Sequence, residues 1–460
     1  AYFYNEKLIC NLGSGLSKTG ILNPSGKKRA LEAIKRFKQI SVSMGIKHIT
    51  AVATAAVRTA KDGLEFCHQV HRETGQKIWV IDGIEEAKLA AQGVLLGWPG
   101  SYGLVCDIGG ASMELAEIQF DQVGKRVSSD LGPLQLLDLK GGRSVRRKYI
   151  RKTIKRLAVE MGPQQNRLFL VGGSWRILAK IDMYRVNYPL HVLHEYRISK
   201  NSVAETLEHV NKKGLKAIQE DYGISPLRLS LLPFAGEVLE ILLDIFEPKD
   251  IAISSYGLRE GLLYQQMSDS IRSRDPLIEA CKISEKKDSR VPGMGKDLFN
   301  FVFPLFRDAK KELLRVVNAA CLLHDVSWRA HPDYRAQVCF DYATRANLGG
   351  LKHSERIFLG LALMHRYTNR RNEQNFAPLL DLLDEDGVKM AEVLGKAMRL
   401  GAMLWVAKST NKARLFWDPN EAKLTLTLSS SSSTILGEVV AERLQSLSDT
   451  LSAKCYFASS

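Results

Sequence analysis

The sequence contains no run approaching the ~18 consecutive apolar residues of a membrane-spanning helix, and no basic n-region followed by an apolar h-region opens it. A membrane partner is therefore not expected, and a cytoplasmic location is. Cysteine is sparse and scattered: Cys10, Cys67, Cys106, Cys281, Cys321, Cys339 and Cys455 include no Cys-x-x-Cys pair and mostly sit inside apolar patterns. They read as buried thiols in a reducing compartment rather than as a disulfide framework. Acidic residues are outnumbered, 50 against 65 Lys and Arg, which leaves a net charge of +15. A field of that sign raises the local concentration of anions and speeds their association, so a polyanionic partner follows. Charge alone does not separate a nucleic acid from polyphosphate, a nucleotide, an acidic membrane or a solvated surface.

What is present is a globular composition, 45% apolar and 25% charged over 460 residues, which excludes disorder and the fibrous classes. At ~100–200 residues per domain, that length predicts three or four domains. Leu31, Ile34, Phe37 and Ile40 recur at three-residue steps and predict an amphipathic helix over 27–46, with Gly45 as its stop. A strand over 49–54, a helix over 64–74, a strand over 78–81 and a helix over 85–96 follow. Strand alternating with helix in such short units argues for α/β layers. Leu104 to Asp107 reads as a strand that returns as a hairpin through Met113 to Gln119. Val145, Tyr149, Thr153, Ile154 and Leu157 form one helical stripe. Leu168 to Val171 and Ile251 to Ser255 are further strands, running into Gly172-Gly173-Ser174 and into Gly257 with a helix from about Leu258. Residues 268–292 are polar and read as a linker. Residues 297–408 are helical in pattern, and 413–457 revert to strand, strand, helix, strand, with Ser429 to Ser433 as a flexible serine-rich loop.

The octad Asp107-Ile-Gly-Gly-Ala-Ser-Met-Glu114 is the segment best suited to chemistry. Gly109 and Gly110 have no Cβ, so backbone N–H groups can approach phosphate oxygens closely. Asp107 and Glu114 bring two carboxylates to the same turn, suited to a Mg²⁺ that keeps several waters and also binds phosphate. An ordinary hairpin with a capping Asp fits the octad alone equally well. Glu85 and Glu86 open a helix, where the dipole is sufficient reason for acidic residues. Arg58, just past a strand end, suits either an oxyanion or a surface ion pair.

Taken together, these stretches resemble a known family. Asn11-Leu-Gly-Ser-Gly-Leu-Ser-Lys-Thr-Gly20, Val52-Ala-Thr-Ala-Ala-Val-Arg-Thr-Ala60, Ile81-Asp-Gly-Ile-Glu-Glu-Ala-Lys88, Val105-Cys-Asp-Ile-Gly-Gly-Ala-Ser-Met-Glu-Leu115, Val171-Gly-Gly-Ser174 and Gly257-Leu-Arg-Glu-Gly-Leu-Leu-Tyr264 occur in the order typical of the exopolyphosphatase / guanosine pentaphosphate phosphohydrolase (Ppx/GppA) family. The resemblance is strongest from 11 to 264. It implies an α/β fold with a duplicated ribonuclease-H-like, actin-like core, an all-helical HD-like domain and a small α+β C-terminal domain. The expected boundaries are 1–96 and 97–268 for the two lobes, 275–405 for the helical domain and 406–460 for the tail. It implies Glu86 as general base, Asp107 and Glu114 as ligands of Mg²⁺ (with Mn²⁺ as a substitute), and Arg58, Gly109, Gly110, Ser112 and Arg259 as phosphate-binding residues. The expected activity is metal-assisted hydrolysis of terminal phosphate from inorganic polyphosphate, with guanosine pentaphosphate as the alternative substrate. A homodimer is expected and a nucleic acid partner is not.

Several positions depart from the family pattern. A first phosphate loop of the type Asp-x-Gly-Ser-Asn, usual upstream of the Asn-Leu-Gly segment, has no counterpart, and the expectation is that the sequence lacks its native start. Ala111 stands where a third glycine is usual, tolerable only if that residue does not need positive φ, and Met113 replaces a usual threonine. Eight Lys and Arg fall between Arg143 and Arg156. Arg147, Arg151 and Lys155 of this set are candidates for a track holding the remote phosphates of a long chain, against a plain solvated face. His324-Asp325 invites an HD-type metal site, but the last preceding histidine is His209, and the ligand set looks incomplete. His331, His353 and His365 read as structural, and the helical domain as channel wall or dimer contact. An ATPase of the same core, with a base pocket at Gly172-Gly173-Ser174 crowded by Trp175 and Arg176, is a competing class, as is a non-catalytic binder of polyphosphate or an alarmone.

Overall fold

A computed structural model describes residues 4–164, 166–369, 373–404, 413–428 and 437–459. The chain forms two compact units, Ala1–Arg272 and Ser273–Ser460.

The first unit is built on a mixed five-stranded sheet. Strands β3 (Gly103–Ile108), β4 (Met113–Gln119) and β5 (Gln122–Ser129) form an antiparallel meander, and β6 (Arg167–Val171) and β7 (Asp250–Ile253) extend it in parallel, in the order β5-β4-β3-β6-β7. The central strands are apolar on both faces because both are covered. Leu104, Cys106, Ile108, Met113, Leu115, Leu168 and Leu170 pack into a core with Ile150, Ile154, Leu178 and Leu239, from the helices Gly142–Met161, Gly173–Arg185 and Leu232–Phe246. Val105, Ala116, Phe169, Val171 and Ala252 pack against Ala87, Ala90, Ala91 and Val94 of the helix Gly83–Gly97. Asp107 and Glu114 fall on this second face by the two-residue period of the strands.

A two-stranded parallel sheet, β1 (Ala51–Ala53) with β2 (Ile78–Val80), adjoins a smaller core of Leu22, Leu31, Val57, Phe66 and Val70. The helix expected over 27–46 spans Pro24–Ser43. Asn23 caps it, accepting from Gly26 N at 2.8 Å, and Pro24 occupies its first turn, a start that side-chain periodicity alone does not register.

The segment read as a linker is ordered: Asp269–Arg272, at the end of the first unit, and Pro276–Asp288, in the second, are helices. The second has a full start signal, with Asp275 Oδ1 accepting from Leu277 N at 2.8 Å and proline in the first turn. Its buried face is only Leu277, Cys281 and Glu285, spaced four apart among charged neighbours, so overall polarity hid the period. Helices including Met294–Val302, Lys311–Leu322, Arg335–Arg345, His353–His365 and Glu385–Leu404 follow. After them, β8 (Arg414–Asp418), β9 (Lys423–Leu428), the helix Glu438–Leu451 and β10 (Lys454–Ser459) form a β10-β9-β8 sheet, parallel between β9 and β10. The 438–451 helix packs on 385–404, where Lys396 Nζ donates to Thr450 Oγ1 at 2.7 Å. The serine-rich loop lies outside the described residues.

Helix 83–97 also packs closely on the helix Leu258–Gln266. A Cβ on Gly261 would lie 1.8 Å from Leu89 O, and one on Gly93 would lie 2.1 Å from Gly257 O, so backbone meets backbone. Gly261→Ala is expected to cost at least the ~1–3 kcal/mol of an overpacked interface. Gly437→Ala, with open space around it but at the N-cap of helix 438–451, is expected to cost less, about 1 kcal/mol or under. Urea unfolding midpoints check both.

Candidate active site

Asp107 and Glu114 are register partners across β3 and β4, so their Cβ atoms lie on one face about 4.5–5.5 Å apart. Glu86 reaches that face from above. It stands one and two turns before Ala90 and Val94 on the buried stripe of helix 83–97, so the stripe that seats the helix also turns this carboxylate inward. Its neighbour Glu85 instead meets Lys88 at 3.1 Å and Gln265 at 3.3 Å. Gly83 permits the close approach, since a Cβ there would lie 2.2 Å from Ser128 Oγ on β5 and 3.8 Å from Glu114 Oε1. Arg58 Nη1 donates to Ile81 O at 2.7 Å and to Glu86 Oε2 at 3.2 Å, tying the Ala55–Thr59 helix to the site.

Glu86 is 6% exposed and Glu114 1%, while Asp107 keeps partial solvent contact. Desolvation raises all three pKa values, and mutual repulsion adds to it for two of them. Glu114 is pushed up to about 9 by burial, then by the charges of Glu86 and Asp107. Asp107 rises to about 7 by burial and by Glu86, with Arg176 acting in the opposite direction. Glu86 is raised by burial, against the pull of Arg58. Ser128 Oγ donates to Glu114 Oε1 at 2.9 Å, while Glu114 Oε2 and the Ser112 hydroxyl are buried beside each other with no close hydrogen bond among the described residues, the hydroxyl favouring the ionised carboxylate. The raised values mean that the carboxyls hold protons in place of a counter-charge, and a divalent cation at this position would favour their ionised forms. Among the described residues, no group of three His, Cys, Asp or Glu side chains is placed to hold a metal ion together. Asp107 and Glu114 as a pair fit Mg²⁺, which binds through one or two carboxylates and completes its shell with water and phosphate.

The hairpin loop differs from expectation in one respect. Gly109 N–H donates to Ser112 O at 3.0 Å, and Gly110 O accepts from Leu134 N at 2.8 Å, so the Gly109 amide closes the turn instead of facing a ligand. Neither glycine has positive φ, nor has Ala111, so the methyl at 111 causes no backbone strain. The left-handed glycine beside the carboxylates is Gly172, at φ 114°, where a Cβ would lie 2.6 Å from Ile108 O and 3.2 Å from Asp107 Oδ1.

Beyond that turn stands Arg176, which the sequence alone suggests only as a residue crowding a base pocket, not as part of this site. Arg176 sits in the first turn of Gly173–Arg185, where a cation opposes the helix dipole. Its Nε donates to Ser254 O at 2.9 Å. Burial lowers its pKa, and Asp107 is the charge that holds it protonated, while Arg259 and Arg228 repel it. Lys7 is depressed by burial and by Arg259, Arg176 and Arg228. Arg259 Nη1 donates to Asn5 Oδ1 at 2.9 Å and lies 4.0 Å from Glu260. Lys7, Arg176, Arg228 and Arg259 thus share one field beside the acidic group. An arginine directly after a Gly-Gly turn at a helix start was the available signal.

The basic helix 142–161 has its own partners. Arg146 forks onto Glu237 at 2.7 and 2.8 Å, Arg147 meets Glu240 at 2.5 Å and Arg151 meets Asp244 at 3.4 Å, all carboxylates of helix 232–246. Arg147 and Arg151 therefore belong to an interhelical charge ladder, which removes two of the three residues proposed for a phosphate track; Lys155 is exposed. In the second unit, Asp325 is gripped by Arg290 through bonds of 2.8 and 2.7 Å. His324 is buried and driven down to about 4 by that burial. A guanidinium thus occupies the carboxylate that an HD-type metal would need.

Residues 2–270 match the Ppx/GppA phosphatase family, and residues 288–458 match the C-terminal region of exopolyphosphatase. The chain belongs to the Ppx/GppA phosphatase family. It is 23% identical over 421 residues to retrograde regulation protein 2 of Saccharomyces cerevisiae, covering 82% of this chain and 70% of that protein. It is 24% identical over 445 residues to guanosine-5'-triphosphate,3'-diphosphate pyrophosphatase of Aeromonas hydrophila, covering 91% of this chain and 86% of that one. The crystal structure of an exopolyphosphatase from Cytophaga hutchinsonii aligns with a TM-score of 0.52 at 23% identity over 57% of this chain and 88% of that one, which shows a shared mixed α/β fold. No helix among the described residues is long and apolar enough to cross a membrane.

A carboxyl whose folded pKa exceeds its unfolded value favours folding fully below the unfolded pKa, and that contribution is lost as pH rises through the folded one. For Glu114 the window runs from about 4.3, the ordinary glutamate value, to about 9. In chelator, Glu114→Gln is therefore expected to stabilise the protein at pH 8 by about 1–3 kcal/mol, the usual penalty of an unsatisfied buried group. The gain should vanish near pH 4.5. Thermal unfolding at both pH values checks the sign.

Proposed function

We propose that this chain is an exopolyphosphatase, which removes terminal phosphate from inorganic polyphosphate by attack of water, with guanosine pentaphosphate as the alternative substrate of the same site. The observation that carries the reading is the placement of three carboxylates from separate segments beside a cluster of cations. The cations attract a polyanion; the carboxylates have no use in merely binding one.

Phosphoryl transfer to water has a loose transition state, so catalysis consists of positioning and charge neutralisation. Glu86, raised by burial and oriented by Arg58, accepts a proton from water as the water oxygen bonds to the terminal phosphorus. The bridging P–O bond breaks on the opposite side, and the shortened chain leaves with the electron pair. Arg176 and Arg259 offset charge on the departing phosphates. Asp107 and Glu114 would hold Mg²⁺ or Mn²⁺, which when bound supplies neutralisation at the phosphoryl oxygens. The net charge of +15 supports a long polyanion as substrate. The likeness to a protein named as a guanosine-5'-triphosphate,3'-diphosphate pyrophosphatase supports the nucleotide.

The test is phosphate release from both substrates with Mg²⁺, Mn²⁺ or chelator. Glu86→Gln is expected to lower kcat by ~10²–10⁴-fold with little change in KM. Arg176→Gln should lower kcat by ~10²–10³-fold, the cost of one donor aimed at developing charge. An unchanged kcat in Glu86→Gln would overturn the assignment of the base. A second reading, a non-catalytic binder of the same polyanions, is supported by the likeness to a protein named for regulation. Binding of polyphosphate without phosphate release under any metal would establish it.

A further inference from the structure

The second unit contains a charge imbalance that the hydrolytic site does not use. Arg366 directly follows the helix 353–365, Arg399 lies on 385–404 and Arg443 on 438–451. Arg399 Nη1 donates to Asn369 Oδ1 at 2.8 Å, which fixes it beside the segment carrying Arg366. Lys396 Nζ donates to Ser446 O at 3.3 Å and Thr450 Oγ1 at 2.7 Å. Arg399 lies about one helical turn past Lys396, and Arg443 about one turn before Ser446, so the two arginines meet where these helices pack. Three helical segments thus deliver three guanidiniums to one place.

Their neutralisation is incomplete. Arg366 is 9% exposed, and its Nε has no hydrogen-bond partner; the Nε of Arg443 is buried and equally unmatched. The carboxylate facing Arg366 is Asp325, 3.8 Å away and already committed to Arg290. Among the described residues, neither Arg399 nor Arg443 has an ion pair. Burial and then the charges of Arg443 and Arg366 drive Arg399 down to about 10. Burying guanidiniums that repel one another, with donors left over, is costly unless an anion completes them. The fork geometry of guanidinium selects tetrahedral phosphoryl oxygens over a spherical halide.

We propose that Arg366, Arg399 and Arg443 form a binding site for a phosphoryl oxyanion in the second unit, built from residues that the hydrolytic site does not contain. The site is independent of the hydrolase reading. Free inorganic phosphate and the phosphate groups of a chain present the same oxygens to it.

Calorimetric titration of the full chain in chelator, at fixed ionic strength, with inorganic phosphate and separately with tripolyphosphate, tests the site. Wild type and Arg176→Gln are both expected to show a binding event that Arg399→Gln/Arg443→Gln weakens about tenfold or more. Equal affinity for the two ligands would identify a single phosphate as occupant, and tighter tripolyphosphate binding a chain. If the double variant fails to fold, the single variant Arg443→Gln, at a half-buried position, provides the same readout. Absence of phosphate binding in Arg176→Gln, or binding unaltered by loss of Arg443 and Arg399, would overturn the proposal.

Discussion

The interaction on which the first unit turns is the repulsion between Asp107 and Glu114, held side by side on a buried sheet face with Glu86 lowered onto them. Nothing in the packing requires acids there. The same face is apolar along the rest of its length, and Val105 or Ala116, two residues away on each strand, shows what the fold itself would accept. The carboxylates keep their places because register and helix seating are set elsewhere, by the apolar stripe of helix 83–97 and by the glycine contacts at Gly83, Gly93 and Gly261 that bring backbones together. Burying three carboxyls in one place costs stability locally, which is a mark of sites selected for something other than stability.

Much of this was legible before any coordinates. Period two along β3 and β4, joined by a short glycine turn, places Asp107 opposite Glu114. Which of the adjacent Glu85 and Glu86 turns inward is not read from the sequence alone, where the helix dipole accounts for both; only the family resemblance points to Glu86, and the packing of helix 83–97 shows it buried. What single-residue reasoning left open was whether either arrangement meant chemistry, since helix dipoles and hairpin caps account for the same letters. The ordered motifs add context that no one segment contains, and what they establish is the family.

The failures have physical causes as well. The helix 276–288 was missed because its buried face is only three residues wide and one of them is Glu285. Gly109 was given to phosphate because absence of a Cβ says what a backbone can approach, not what its amide already bonds. Arg147, Arg151 and Lys155 of helix 142–161 are candidates for a ligand track, against a solvated face, because a run of positive charge is visible in sequence. The matching Glu237, Glu240 and Asp244 stand some ninety residues later and become neighbours only through the fold. The pairing of Arg176 with Asp107 is hidden for the same reason: three strands and two helices separate them in the sequence.

Charge accounting in the folded chain separates basic residues that the fold uses from those it leaves available. Arg146, Arg147 and Arg151 are matched by carboxylates across a helix pair, and Arg290 is consumed by Asp325, where it stands in for the metal that an HD-type pair would bind. Lys7, Arg176, Arg228 and Arg259 instead repel one another, with Asp107 opposing Arg176 and Glu260 lying 4.0 Å from Arg259. Arg366, Arg399 and Arg443 are crowded with less opposing charge. A positive net charge spread evenly over a surface would aid solubility and little else. Here the excess is concentrated where guanidiniums are desolvated and repel one another, and a protein sustains that arrangement when an anion from outside completes it. The anion sought is therefore one that offers several oxygens to planar forks, which is the chemistry of phosphate.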